Sequence, residues 1–401
     1  MVRVFERAAG EHDLKSHFSG ECPRVAVIGT RGFPSYYGGF ETLVRRLAPY
    51  LAERGWEVDV YSRPGHVVDE KIPPGVTQRF THGVESTSAS TLSYGLTACA
   101  DAARRKPDVA LVMNVANGYF LPLLKARGIP VVLNVDGLEW EREKWSTPAK
   151  RVFRAGATMS AKFADTLVAD SLEIGRHWRE NFQRDTTFIP YGGDVPDSPN
   201  AHRVRERLGL EPGSYVLAVA RFVPENTMQE FFDAVRLMDS SIPVVVAGSA
   251  SPDDPIQRAA AALAAKRSNV HLLGHLRDDE LLHALWSNAG VYFHGHSVGG
   301  TNPALVQAMA CGAPVVARDT VFNREVLGDA GAFTSVNARN ISDRLTELLS
   351  DAGRRASLSS AARDRGDEHY SWEQVLGAYE RCISEVAGSC LALSGRHGES
   401  R

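Results

Sequence analysis

The sequence is short of the features that mark secreted, metal-holding or membrane-spanning chains. Its 401 residues hold five cysteines, Cys22, Cys99, Cys311, Cys382 and Cys390. The count is odd and no CxxC spacing occurs, which excludes a disulfide framework and a structural zinc site and fits a reducing, cytoplasmic setting. No run nears the roughly 18 apolar residues of a membrane-crossing helix. The first twenty residues mix both charges without an apolar stretch, so no signal peptide is expected. Neither charge sign prevails: 45 Lys and Arg face 48 Asp and Glu, a net charge of -3. That balance argues against nucleic acid as a partner. No HExxH pairs the thirteen histidines, and no metal site is expected.

What is present is ordinary globular material, 43% apolar and 23% charged. The length suits two or three domains at about 150 residues each. Continuous apolar runs fall at 24–29, 57–63, 108–113, 130–135, 166–169 and 186–189, with helical periodicity between several of them. Phe40, Leu43, Val44, Leu47, Ala48 and Leu51 form one such stripe, closed by Gly55. Unbroken rather than alternating apolar strands indicate a parallel sheet covered on both faces. Gly192–Asn200, rich in Gly, Pro and Asp, reads as a linker. The pattern then restarts, with strands expected at 215–220, 243–248, 270–274, 290–295 and 313–318. The fold class is α/β, as two Rossmann-like halves in tandem. Such sheets bind ligands beyond the carboxyl ends of their strands.

The strand-end loops carry the chemistry. After the first strand comes GTRGFPSYYGGFE, which lacks GxGxxG, so a dinucleotide fingerprint is absent. Gly38 and Gly39 precede a helix, where open N–H groups suit phosphate; an ordinary turn is the alternative. In the second half, Gly299, Gly300, Thr301 and Asn302 lead into Pro303 and a helix, with Asn302 or Thr301 as cap. Arg221 follows a strand directly, and a guanidinium there suits a diphosphate. The alternative for it is a surface salt bridge with Glu225. His294 and His296 flank Gly295 at a strand end, where an i, i+2 pair in extended chain shares one face. Asp253–Asp254 and Asp278–Asp279 read as turn and cap residues.

Six ordered segments then carry a resemblance. GTRGFPSYYGGFETLVRRLAPYLAERGWEVDVYSR, NVDGLEWEREKW, LVADS, FIPYGGD, ARFVPEN and HGHSVGGTNPALVQAM resemble the retaining glycosyltransferases of family four. Within that family they resemble the branch that includes bacterial rhamnosyltransferases of surface polysaccharides. The likeness spans about residues 23 to 385. It implies the glycosyltransferase B fold, two facing Rossmann-like domains with a C-terminal crossover helix. The corresponding divisions are a polar arm at 1–22, an acceptor domain at 23–195, a nucleotide-sugar domain at 196–369, the crossover helix at 370–387 and a flexible tail at 388–401.

The resemblance also implies roles. A sugar, rhamnose by this branch, passes from a nucleotide-diphosphate donor to a glycan, lipid-linked or natural-product acceptor. Retention proceeds without cofactor or metal, by attack on the leaving group's own face. Arg221, Asp136 and Glu325 take the catalytic positions. Gly38, Gly39, Arg221, Gly300, Thr301, Asn302, Ala304, Leu305 and Gln307 line the donor, and Glu139 and Tyr37 face the acceptor. Arg31 and Arg324 are the alternatives to Arg221 for the diphosphate.

The chain departs from the wider family's Glu–x7–Glu pattern, whose second Glu grips the ribose. Here the two positions are Gly299 and Gln307. An amide there loses a charge-assisted bond of about 1.5–3 kcal/mol. Asn226 stands where many relatives carry Lys. Two other readings stay open: a non-catalytic sugar-nucleotide-binding protein, and a sugar-nucleotide epimerase. Finally, Lys144 to Ala164 carries Lys144, Lys150, Arg151, Arg154 and Lys162 with no acid. Val152, Phe153, Met159 and Phe163 interleave. Either this helix sends its apolar residues into the core, or it lies on an anionic bilayer at the inner membrane face.

Overall fold

The computed structural model describes residues 3–4, 22–36, 38–85, 90–142 and 145–395. The chain forms two compact units, the first ending at Pro190 and rejoined by the segment from Glu373, the second running Tyr191–Trp372 with Arg142.

In the first unit the strands are β1 (Arg3–Val4), β2 (Arg24–Ile28), β3 (Glu57–Ser62), β4 (Val76–Phe80), β5 (Val109–Met113), β6 (Val131–Asn134), β7 (Thr166–Ala169) and β8 (Thr187–Phe188). They pair in parallel in the order β1-β8-β7-β6-β5-β2-β3-β4. Every residue of β5 and β6 is buried, as the unbroken apolar runs require of strands covered on both faces. The helix Gly39–Glu53 packs Leu43, Val44, Leu47, Ala48 and Leu51 inward, each large side chain contributing about 1.5–3 kcal/mol by burial.

In the second unit β9 (Val216–Val219), β10 (Val244–Ala247), β11 (Val270–Gly274), β12 (Val291–His294), β13 (Val315–Arg318) and β14 (Ala332–Thr334) pair in parallel in the order β11-β10-β9-β12-β13-β14. Phe222, Phe231, Phe232 and Phe293 anchor its core. Asp254 and Asp278 cap helices, each accepting a backbone N–H.

The last helix, Trp372–Gly395, belongs to the first unit. Asn134 Nδ2 donates to the buried Tyr379 hydroxyl at 2.6 Å. Tyr50 donates its hydroxyl to Glu380 at 3.1 Å, and Arg54 pairs with the same carboxylate. Val375 and Ile383 are buried beside them. The chain therefore leaves the first unit, builds the second and returns.

Several boundaries differ from expectation. The N-terminal arm contributes β1, which pairs with β8. Strands β4 and β14 were outside the expected set, because VTQRF and AFT are edge strands without a continuous apolar run. The first unit closes at Pro190, before the expected 195. The final helix continues past 387 to Gly395, so residues 388–395 are helical and not tail.

In the first sheet the strand order reverses beside β2, and in the second beside β9. The crevices lie between β2 and β5 and between β9 and β12. Parallel sheets place ligands beyond the strand ends at such a reversal.

Candidate functional site

In the second unit, the loops after β9, β12 and β13 are stitched together at that edge. Asn226 Nδ2 donates to the Arg221 carbonyl at 2.8 Å and closes the loop after β9. The Glu225 carbonyl accepts from Ser297 N at 2.9 Å and from Ser297 Oγ at 3.0 Å. Thr227 Oγ1 donates to the Gly295 carbonyl at 2.6 Å, and Arg318 Nη1 donates to Thr227 Oγ1 at 3.0 Å. Asn323 Nδ2 holds both the His296 carbonyl and the Arg318 carbonyl. Arg221 stays exposed in this frame. Asn226, in place of a lysine, therefore serves to shape the loop that carries Arg221.

Beside it begins the helix Pro303–Ala310. Asn302 caps it, its Oδ1 accepting from Ala304 N at 2.9 Å, and Pro303 fills the first turn. Thr301 is buried just before the cap, and Leu305 just after it. Ala304, Leu305 and Val306 all donate their N–H groups to Asn302, so what this end offers an anion is the positive pole of the helix dipole. Gly299 has φ +116°, a backbone that L side chains rarely adopt. Glycine there answers a geometric need of the turn.

Gln307 does not point its amide outward for a ribose. Its Oε1 accepts from Asp194 N at 2.9 Å and its Nε2 donates to Asp194 O at 2.7 Å. Both polar atoms of the amide are engaged with the backbone at the start of the unit.

His294 and His296 do share a face: their rings stack at 4.7 Å with a 10° interplanar angle. Burial pushes the His294 imidazole down to about 3. Burial, the neighbouring His294 and Arg221 hold His296 well below its ordinary value. Both rings are neutral at physiological pH. Arg324 makes two bonds to Asp319, at 2.6 and 2.8 Å, and lies over the Phe333 ring; it is engaged away from any diphosphate. Glu325 is half-buried on the same helix, Val321–Leu327, and its carbonyl accepts from Arg365.

In the first unit, Gly38 is extended with φ -168° and caps Gly39–Glu53. The buried Glu41 carboxylate accepts from Arg31 N at 2.8 Å and fixes the glycine loop. A Cβ on Gly38 would stand 3.3 Å from Glu41 Oε2. At the crevice, Asn114 (φ +71°) and Asp136 (φ +62°) both take left-handed backbone. Asn114 Nδ2 donates to Asp136 Oδ2 at 3.0 Å, and Asp136 N donates to Asn134 Oδ1 at 2.8 Å. Two adjacent non-glycine residues of this kind store strain that packed neighbours must hold. Glu139 is buried and accepts from Trp145 Nε1 at 2.8 Å, a bond that pins the loop. Tyr37 and Lys144 lie outside the described residues.

The helix Thr147–Phe163 buries a stripe of small residues, Gly156, Ala157 and Ser160. Ser160 Oγ reaches the Val115 carbonyl. Val152 is 39% exposed, and Phe153, Met159 and Phe163 are only half-buried. Phe153, Met159 and Phe163 thus flank the buried stripe, and Arg151, Arg154 and Lys162 stand exposed with Val152.

Sequence reasoning passed over Asn114, Glu41 and Asn323, and named Glu225 only as a salt-bridge partner for Arg221. Asn114 follows a strand as Asp136 does, and that shared position was the available signal. Among the described residues no group of three His, Cys, Asp or Glu is arranged for a metal.

Two family models match: "Glycosyl transferases group 1" over residues 202–365 and "Glycosyl transferase 4-like domain" over residues 38–192. The chain is 26% identical to a D-inositol 3-phosphate glycosyltransferase of Geodermatophilus obscurus, covering 90% of this chain and 87% of that one. It is 27% identical to an MMP alpha-(1->4)-mannosyltransferase of Mycolicibacterium hassiacum, covering 91% and 99%. A GDP-mannose-dependent phosphatidylinositol monomannoside mannosyltransferase of Corynebacterium glutamicum matches at 26%, with 53% of this chain and 60% of that one covered. Among solved structures, sucrose-phosphate synthase of Thermosynechococcus elongatus matches with TM-score 0.76 at 19% identity, over 92% of this chain and all of that one. WaaG, a glycosyltransferase of lipopolysaccharide biosynthesis, matches with TM-score 0.68 at 18% identity, over 90% and 99%. These neighbours share the two-unit glycosyltransferase B fold. The relatives are mannosyl- and inositol glycosyltransferases, and none of those described here is a rhamnosyltransferase.

Proposed function

Since the chain belongs to the group 1 glycosyltransferases, we propose that it transfers a hexosyl group, with retention, from a nucleoside-diphosphate sugar to a glycan, lipid-linked or small-molecule hydroxyl. The observation that carries this reading is that exposed Arg221 follows β9 and the capped start of Pro303–Ala310 follows β12, the two strands paired at the reversal. A guanidinium and a helix N-terminus together neutralise the diphosphate as it leaves. The donor's C1–oxygen bond breaks toward the diphosphate, and the acceptor oxygen bonds to C1 on the same face. The acceptor's proton passes to the departing phosphate oxygen. No metal is needed in this scheme, because fixed protein charge does its work.

Backbone at Gly300, Thr301, Asn302, Ala304 and Leu305 approaches the phosphates, and Gly38 and Gly39 lie near both the donor phosphate and the acceptor. Asp136, held by Asn114, is the candidate to orient the acceptor hydroxyl; Glu325 is the candidate for a hydroxyl of the donor sugar. The motif resemblance favours dTDP-rhamnose, and the named relatives favour GDP-mannose. Incubating both donors with lipid and aglycone extracts tests the reading: nucleoside diphosphate released only with acceptor supports it. Sugar conversion without acceptor would indicate an epimerase instead.

The helix Thr147–Phe163 supports a peripheral membrane contact, because Arg151, Arg154 and Lys162 stand exposed together with Val152. Each basic residue near an anionic surface contributes about 1 kcal/mol. A lipid-linked acceptor would be met there. Among the described residues no helix is long and apolar enough to cross a membrane.

A further inference from the structure

Glu225 lies in the same loop as Arg221, on the 3-10 turn Pro224–Asn226. It is 8% exposed. Its carbonyl is fully used by Ser297, yet its side chain is not: among the described residues neither Oε1 nor Oε2 has a hydrogen-bond partner. The expected ion pair with Arg221 is not formed. A buried carboxylate without partners is expensive, and native proteins keep such groups when something else completes them. A carboxylate offers acceptors only, so what completes it must bring hydroxyl or N–H donors. A phosphate would be repelled. The loop therefore holds two opposite chemistries a turn apart, an exposed cation suited to phosphate and a buried acceptor suited to donors.

The position narrows the ligand further. Glu225 follows β9 and its carbonyl is bonded to Ser297 after β12, so it stands at the strand-order reversal where parallel sheets place ligands. Resting on the nucleotide-sugar reading above, we infer that Glu225 recognises the vicinal hydroxyls of the bound donor, those of its hexose or of its ribose. It thereby positions the ring whose diphosphate Arg221 holds. Gln307, engaged with Asp194, leaves that task open.

The test is Glu225→Gln, which keeps the shape and removes the charge. Thermal melts without ligand and calorimetry with GDP, GDP-mannose, dTDP and dTDP-rhamnose are measured for both proteins. A side chain kept for a ligand predicts an unchanged or higher Tm in the variant, since an uncompensated buried charge is gone. It predicts donor binding weaker by about tenfold or more, as expected for loss of bonds to a charged acceptor. Weakening confined to the sugar nucleotides assigns the contact to the hexose; equal weakening of the bare diphosphates assigns it to the ribose. A lower Tm with unchanged affinities makes Glu225 a structural residue and overturns the inference. If the wild-type protein binds none of the four, the nucleotide-sugar reading itself falls, and this inference with it.

Discussion

Gln307 and Asp194 hold each other through a closed pair of hydrogen bonds, amide oxygen to backbone N–H at 2.9 Å and amide nitrogen to backbone carbonyl at 2.7 Å. Only an amide can make both. A glutamate at 307 would keep the first bond and face the Asp194 carbonyl with a second acceptor. Gln307→Glu is therefore expected to lose about 1–3 kcal/mol of stability and to gain no turnover. Urea denaturation and donor assays on the variant check this. A large gain in turnover would instead revive the reading of a weakened ribose site.

Gly299 makes the same point about the other departure. At φ +116° a side chain is strained, whatever space surrounds it. Gly299→Ala should cost about 1–3 kcal/mol, and Gly299→Glu should not restore a family-like site. Denaturation midpoints of both variants against wild type are the measurement.

Arg221 is exposed, so its loss should leave stability within about 0.5 kcal/mol. Arg221→Ala should weaken nucleoside diphosphate binding by about 1.5–3 kcal/mol, read by calorimetry. Unchanged affinity would place the diphosphate elsewhere.

The stacked histidines set a pH dependence. Both are neutral when folded, with His294 pushed to about 3 and His296 also depressed by burial. In the unfolded chain each takes up a proton near pH 6.5. The unfolded state then binds more protons, so stability is full above about pH 6.5 and falls as pH drops toward 3. Each histidine contributes a slope of up to about 1.4 kcal/mol per pH unit. Urea melts at pH 7.5 and pH 5.5 should show the loss, and His294→Gln with His296→Gln should flatten it.

The outward basic helix predicts salt-sensitive binding to vesicles with anionic lipid and none to neutral vesicles. Replacing Arg151, Arg154 and Lys162 by Gln should abolish it with little change in Tm. Sedimentation with both vesicle types reads the outcome, and salt-insensitive binding would remove the membrane contact.

Legibility in the sequence followed burial. The central strands of both sheets are unbroken apolar runs, and the caps Asn302, Asp254 and Asp278 obey local rules, so all were visible. β4 carries Gln78 and Arg79 within its span, because an edge strand need not be apolar, and it was not. Arg221 and the helix start at Pro303 could be named because position after a strand is a local property. The clasp of Gln307 on Asp194, the strained Asn114–Asp136 pair and the unpartnered carboxylate of Glu225 are long-range facts. They depend on which loops the sheet order brings together, and no spacing announces them. The basic stretch at 144–164 showed its charge but not which face was buried; that was decided by Gly156, Ala157 and Ser160, whose smallness admits close packing.

The central claim is hexosyl transfer from a nucleoside-diphosphate sugar, and mass spectrometry of reaction products tests it most directly. Wild-type and Arg221→Ala protein are each incubated with GDP-mannose or dTDP-rhamnose and a lipid or aglycone extract. The account predicts, with the wild type, an acceptor heavier by one hexosyl or deoxyhexosyl unit, formed in step with nucleoside diphosphate, and a much slower reaction with the variant. No mass-shifted acceptor from either donor, or equal product from both proteins, would contradict it.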